Sequence, residues 1–312
     1  MSLQFSAFNH NEWKNLVEEN QIDSLFYQPV FHSIVIKRYN CDCSYYQIKD
    51  NSETILALPV FHRNRDASFI THFFYQAVYF NEKLSERKKI EAFNLLASSL
   101  TKHFDKIDFK LDPIINDVRA FTWNAFESKV YYSYHLNLSL ELNYSENINR
   151  QLKKYDKIYK VERLSKLNDH LIDAHIRDMV KNKLGKAEAV QVKQWLKDFH
   201  DLNLLDVFEM TDENGQEQGS AIYIRDKNSS YLVAVMSNNS SQALLYDKVI
   251  EYYRSENIKE IDLLGANIQN VAIYKSQFDA KLISYHIVSY RKNKEWESIK
   301  NTIKRKIKSI YK

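Results

Sequence analysis

Apolar and polar residues alternate through SYYQIKDNSETILALPVF, and this period of two predicts strands over residues 44–49 and 54–61, joined by a turn at Asp50 and Asn51. SFITHFFYQAVYF continues as strand-like sequence. The period then lengthens, placing Ile90, Phe93, Leu96, Ala97, Leu100 and Phe104 on one face of a helix, and KIDFKL follows as a short strand. The second half runs through the same sequence of patterns. LLDVFEMTDENGQEQGSAIYIRD predicts a hairpin turning at 212–215, SYLVAVMS a strand, SQALLYDKVIEYYRSEN a helix and KEIDLL a short strand.

Between the halves, LNYSENINRQLKKY is polar and can start a helix on Ser145 or Asn143; NDHLIDAHIRDMVKN and AEAVQVKQWLKDFHDL then read as two more helices. The order hairpin, strand, helix, strand therefore occurs twice, with KDNSE opposite TDENG and KIDF opposite EIDL. A duplicated α/β (α+β) architecture is the simplest source of that order, with domains expected at 1–140 and 141–312.

Composition narrows the class. With 312 residues, 44% hydrophobic and 13% aromatic, the chain has enough apolar surface to fold. No apolar run approaches the roughly 20 residues of a membrane helix, and MSLQFSAFNHNEW lacks the charged start and apolar core of a secretion signal, so a cytoplasmic location is expected. Cys41 and Cys43 flank one residue and have no second pair with which to hold zinc. The net charge of +4 is unevenly placed: residues 292–312 carry eight lysines and arginines against two glutamates, and 150–166 carry seven against two. Trp296, Ile299, Ile303, Ile307 and Ile310 give the tail an apolar helical stripe. Such a basic helix can dock on its own domain, or meet RNA phosphates or an anionic membrane.

The stretch IDLLGANIQNVAIYKSQFDAKLISYHIVSY carries the candidate chemistry. Gly265 stands where a strand would turn into a helix that Asn267 could cap. Helical spacing sets Lys275 beside Val271, Ala272 and Phe278, at the edge of an apolar face. A lysine there either extends its stem over the core or presents a partly desolvated ammonium to a developing oxyanion. Tyr274 either packs or offers a phenol to a leaving group.

This stretch resembles the second half of the Fem-type (FemAB-like) transferases and their relatives in the GNAT-like acyltransferase superfamily, including the single-chain group linked to polysaccharide biosynthesis. The shared features are a strand ending at Asp262, the turn at Gly265, the aromatic-lysine pair Tyr274-Lys275, and Phe278 before a long strand. The upstream helix, hairpin and binding-helix segments are also similar, so the resemblance spans almost the whole chain. It implies two tandem GNAT-like domains, each a mixed, mostly antiparallel sheet flanked by helices. Lys275 and Tyr274 become the candidate catalytic residues, with Asp262, Gly265, Asn267 and Phe278 as the structural motif.

The resemblance also places a donor loop at Asn238, Ser240, Ser241, Gln242 and Ala243. The central glycine of the usual Gln/Arg-x-x-Gly-x-Gly/Ala pattern is Ser241 here, although hydroxyls at a helix N-terminus can still bind an anion. Asp279 replaces a glycine after Phe278 and brings a carboxylate near Lys275. Asp173, His175 and Asp178 are not spaced to converge on one metal, and no metal or tightly bound cofactor is expected. The implied reaction is transfer of an acyl or aminoacyl group to an amine of an amino sugar, a peptide or a cell-envelope precursor. The donor would be acyl-CoA or an aminoacyl-tRNA, the latter held by the basic segments 150–166 and 292–312. The contrasting reading is a catalytically degenerate binding or scaffold protein on the same fold; an RNA-binding module is a third.

Overall fold

The computed structural model describes residues 2–68, 75–181, 185–238 and 241–292. The chain opens with strand β1 (Gln4–Phe8) and helix α1 (His10–Glu19), followed by α2 (Pro29–Tyr39). Pro29 fits the first turn of α2, where its missing N–H leaves no bond unmade, and Asn40 ends the helix in the left-handed region at φ 47°. The first predicted hairpin is β2 (Asp42–Asp50) and β3 (Glu53–His62), and its turn uses Asn51 at φ 56°. Of the strand-like sequence after it, residues 69–74 lie outside the described residues. Among the described residues there, the short strands β4 (Asp66–Ala67) and β5 (Tyr79–Phe80) form.

Helix α3 (Glu86–His103) starts on Ser85, whose hydroxyl accepts from the Lys88 amide, and buries Phe93, Leu96, Ala97 and Leu100 along the expected face. Then come β6 (Lys106–Lys110), the single turn α4 (Arg119–Thr122) and the long strand β7 (Glu127–Asn137). Helix α5 (Glu146–Tyr155) is capped by Ser145, one of the two caps expected there. After β8 (Lys160–Arg163), helices α6 (Asp169–Lys181) and α7 (Lys186–Asp201) lead to the second hairpin, β9 (Leu205–Thr211) and β10 (Glu217–Arg225). The Asp212 carboxylate holds that hairpin's turn by accepting the Asn214 and Gln216 amides, and Gly215 takes φ 76°. The chain ends in β11 (Ser229–Ser237), α8 (Gln242–Ser255), β12 (Glu260–Asp262), α9 (Gln269–Lys275) and β13 (Lys281–Arg291). The expected basic helix from 293 onward lies outside the described residues.

The chain divides into two compact units, whose limits fall inside α1, between α2 and β2, and inside β7 and β13. The first unit takes residues 2–13, 41–130 and 285–292 of the described chain. In it β1, β2, β3 and β5 form an antiparallel sheet, while β6 pairs antiparallel with β13 and parallel with β4. Its core gathers Ile48, Leu56, Leu58, Leu96, Leu100, Ile107 and Phe121.

The second unit takes residues 14–40 and 131–284. Its strands run in the order β7, β12, β11, β10, β9, β8, and only β11 and β12 are parallel. Helix α8 is the crossover that makes them parallel, since two parallel neighbours need a long connection. It buries Leu244, Tyr246, Val249 and Tyr253 against Phe208, Met210, Ala221 and Tyr223. The alternate residue Ser220 instead meets His175 of α6. No helix among the described residues is long and apolar enough to cross a membrane.

Candidate active site

The second unit leaves β12 through two consecutive left-handed residues, Leu264 at φ 52° and Gly265 at φ 62°. That turn positions the Leu263 and Leu264 carbonyls to accept from Lys275 Nζ, at 2.5 and 3.0 Å. Lys275 ends α9 and is only 5% exposed. Burial lowers its pKa to about 8, with the nearby Asp262 charge pulling the other way. The lysine is therefore an internal brace of the turn, with two of its three ammonium protons held by backbone oxygens.

Asp262 is the counter-charge that sequence reading did not assign. Its Oδ1 accepts the Leu264 amide at 2.8 Å and the Ser133 hydroxyl, and its Oδ2 lies 3.4 Å from His135 Nε2. His135 Nδ1 also meets Glu260. Burial works against a charged His135, but Asp262 and Glu260 outweigh it and raise its pKa to about 10. The register explains this cluster: Asp262 faces His135 across β12 and β7, so the paired polar residues 133 and 135, and 260 and 262, share one face. Alternate polar residues on both strands were the available signal.

The remaining motif residues separate into distinct roles. Asn267 does not cap α9, whose N-cap is Ile268. Its side-chain amide instead donates to the Tyr132 carbonyl and accepts the Tyr132 amide, as a backbone pair would. Phe278 is fully buried against Tyr144, Tyr246 and Tyr274. Asp279 takes φ 60°, the conformation that favours the glycine of the resembling family, and its carboxylate accepts the Asn143 amide at 3.1 Å. The Tyr274 hydroxyl is buried with no hydrogen-bond partner among the described residues, and burial followed by the nearby Tyr246 keeps it protonated well above the ordinary phenol range.

A cavity of about 460 Å³ opens at the C-terminal end of β11 and the N-terminal end of α8. Asn238 and Gln242, two of the expected donor-loop residues, are among its lining residues. Ser241 and Ala243 do not: both are fully buried, and the Ser241 hydroxyl donates to the Asn238 carbonyl at 2.6 Å. Ser240 lies outside the described residues. Lys275 and Tyr274 are not among the lining residues; Tyr274 packs at a tilt against Tyr246, to whose hydroxyl Gln242 donates.

Other lining residues were not foreseen: Glu217, Gln218 and Gly219 of β10, beside Asn238, and Asp178 of α6 also line the cavity, and the Ser220 hydroxyl donates to Glu217 Oε1 at 3.1 Å while lying 3.0 Å from His175 Nε2. Gly219 sits at a bulge in β10, and a Cβ there would stand 2.9 Å from both the Met236 carbonyl and Ser237.

Elsewhere, Asp173 pairs with Lys193 rather than with His175, and no group of three or more His, Cys, Asp or Glu suited to a metal occurs among the described residues. In the basic run 150–166, Lys153, Lys154, Lys157 and Lys160 are exposed, whereas Arg163 pairs with buried Asp206.

No protein-family model matches the chain, and no curated protein sequence matches it either. Solved structures do match in shape. FemX superposes with a TM-score of 0.61 at 10% identity, covering 95% of this chain and 99% of that one. A tandem GNAT protein from the clavulanic acid biosynthesis pathway gives 0.55 at 9% identity, covering 92% and 98%. L-PGS from Bacillus licheniformis gives 0.52 at 8%, covering 92% and 93%. At these identities the likeness is one of architecture, and with the repeated element order and the parallel β11–α8–β12 crossover it identifies the chain as a tandem GNAT-like fold.

Proposed function

We propose that the protein is an N-acyltransferase that moves an acyl or aminoacyl group onto an amine of an amino sugar, a peptide or a cell-envelope precursor. The observation that carries this reading is the cavity at the carboxyl end of β11 and the start of α8. Ligands of open α/β sheets bind outside the carboxyl ends of parallel strands, where a helix N-terminus offers free amides. The donor is acyl-CoA or an aminoacyl-tRNA. Exposed Lys153, Lys154, Lys157 and Lys160 support the tRNA option, with the basic tail as a second contact.

Within this reading, Tyr274 is the candidate donor of a hydrogen bond to the leaving group, because its hydroxyl lacks a partner. Lys275 holds the turn after β12 through the Leu263 and Leu264 carbonyls, within the electrostatic influence of Asp262. Its depressed pKa, about 8, fits an ammonium that would respond strongly to a nearby oxyanion.

The test is donor turnover: a panel of acyl-CoA thioesters and charged tRNAs, each with amino-sugar and peptide acceptors, followed by thiol release or tRNA deacylation. Amine-dependent release supports the reading, and its absence with every donor overturns it. A degenerate binding protein is the second reading, favoured by two contacts: the Lys275 ammonium held by backbone carbonyls and the Ser241 hydroxyl held by Asn238. It predicts ligand binding without turnover.

A further inference from the structure

Strands β8, β9 and β10 place three charged residues on the face that α8 covers. Arg163 of β8 alternates with Val161, Asp206 of β9 with Phe208, and Arg225 of β10 with Tyr223, so all three share a side of the sheet with residues packed on α8. The Asp206 side chain is fully buried between the two arginines. Its Oδ1 accepts from Arg163 Nε at 2.6 Å, and its Oδ2 accepts from the Tyr253 hydroxyl at 3.0 Å. Arg163 alone therefore balances the charge, and each carboxylate oxygen already has a donor.

Arg225 is surplus to that arrangement. Its Nε lies 2.9 Å from Asp206 Oδ2, yet this buried nitrogen makes no hydrogen bond to any described residue. The terminal nitrogens of both arginines also lack an acceptor among the described residues. A guanidinium is a rigid fork of N–H donors that stays charged, and a buried donor left unbonded is costly, so an acceptor from outside the chain is the direct way to satisfy this one. The two side chains keep 28% and 20% of their surface, which leaves the forks reachable from solvent. The Arg163 guanidinium also lies 5.8 Å from the centre of the Tyr252 ring. Burial first and then Asp206 raise the pKa of that phenol, Arg163 and Arg225 pull it down, and Glu256 is the further carboxylate acting on it.

We propose that Arg163 and Arg225 form a phosphate site, which takes the terminal phosphate of a phosphomonoester between two guanidinium forks held by Asp206. A carboxylate ligand has two oxygens and suits one fork, whereas a terminal phosphate offers three acceptor oxygens and a second negative charge, enough for both. A phosphodiester has only two free oxygens and bulk on either side, so a recessed pair of forks favours the monoester. The site is separate from the cavity at the start of α8. The arginine cluster meets that helix at Tyr252 and Tyr253, about 15 Å along its axis from Gln242 at the cavity. It therefore goes beyond the acyltransferase reading and does not depend on it.

The test titrates the full chain, in phosphate-free buffer, with inorganic phosphate, glucose 6-phosphate and adenosine 5′-monophosphate, which separate free, sugar and nucleotide sources of the same group. Glucose, adenosine and a short RNA with hydroxyls at both ends serve as neutral and phosphodiester probes. Saturable binding of at least one of the phosphates is expected at about 1 mM or tighter, with its dephosphorylated counterpart failing to bind. Arg163→Gln and Arg225→Gln each leave Asp206 one guanidinium, so neither strands a buried carboxylate, and each should weaken that phosphate about tenfold or more. Arg225→Lys keeps the charge but loses the fork, and should weaken it too. Thermal unfolding without ligand separates this from a structural role: an Arg225 kept only for Asp206 predicts a less stable Arg225→Gln protein with phosphate affinity unchanged, and that result overturns the proposal. Failure of all three phosphates to saturate up to about 10 mM also overturns it. So does RNA that binds more tightly than every monoester and is weakened by the same variants, because the forks would then serve a phosphodiester. Phosphate binding without acyl-donor turnover keeps the site and removes the transferase. Donor turnover in a protein that binds none of the phosphates does the reverse.

Discussion

The Lys275 ammonium lies against Gly265: a Cβ built on that glycine would stand 3.2 Å from Nζ, and the ammonium is held there by the carbonyls of Leu263 and Leu264. Gly265→Ala therefore meets two costs, a side chain at φ 62° and displacement of a lysine fixed by its acceptors. A loss of about 1–3 kcal/mol is expected in denaturant unfolding. Lys275→Met removes the obstacle but leaves two carbonyls unpaired, so the double variant should lose less than the sum of the two single losses. Strict additivity in that cycle would show that glycine and lysine do not constrain one another.

Lys275 and His135 should pull the pH dependence of stability in opposite directions. Burial depresses the lysine from 10.5 to about 8 in the folded protein, so the unfolded chain holds more protons between those values and this lysine's contribution to stability rises with pH. His135 is raised from 6.5 to about 10, so its contribution is complete below 6.5 and is lost as pH climbs through 10. Lys275→Met should expose a steeper decline in stability between pH 8 and 10 than the parent shows. His135→Gln should leave a rise over the same interval and cost about 3 kcal/mol at pH 7. Chemical denaturation across pH 6 to 10.5 measures both.

The periodic parts of this chain were legible because they answer to local rules. The hairpin β2–β3, the face of α3 and the Ser145 cap follow from alternation, helical spacing and a hydroxyl at the right place. The site was legible only where a residue's own type limits it, as with the turn at Gly265. Lys275 sits at the edge of an apolar helical face in sequence, but the acceptors that draw it inside belong to the backbone before α9. Asn267 likewise has a cap's chemistry and finds its partner on β7, at Tyr132. The chain of contacts from Glu217 through Ser220 to His175 depends on a bulge and on a residue of α6, and neither leaves a local signature at Glu217.

Asp279 gives a test of backbone conformation alone. It holds φ 60° where the resembling family has glycine, and its carboxylate recovers part of that cost by accepting the Asn143 amide. Asp279→Gly relieves the strain and loses the bond, so stability should stay within about 0.5 kcal/mol of the parent. Asp279→Val keeps the strain, adds a β-branch and loses the bond, and should cost about 1–2 kcal/mol. Thermal unfolding of the two variants distinguishes them, and equal losses would mean that the left-handed conformation is not what the position demands.

Tyr274→Phe separates packing from chemistry at one atom. The ring meets Phe278 edge-on with centroids 5.4 Å apart and Tyr246 at a tilt with centroids 6.2 Å apart, and phenylalanine preserves both contacts. The hydroxyl is buried without a partner, so its removal should stabilise the protein by about 1 kcal/mol, visible as a raised melting temperature. If that hydroxyl meets the leaving group during transfer, the same variant should lower turnover about a hundredfold, because an acid poised for one proton transfer contributes on that scale. A residue kept for packing loses stability when it is truncated and loses activity only as a consequence. Here the two should move in opposite directions, and unchanged turnover in a more stable Tyr274→Phe protein would remove this tyrosine from the reaction while leaving the fold as described.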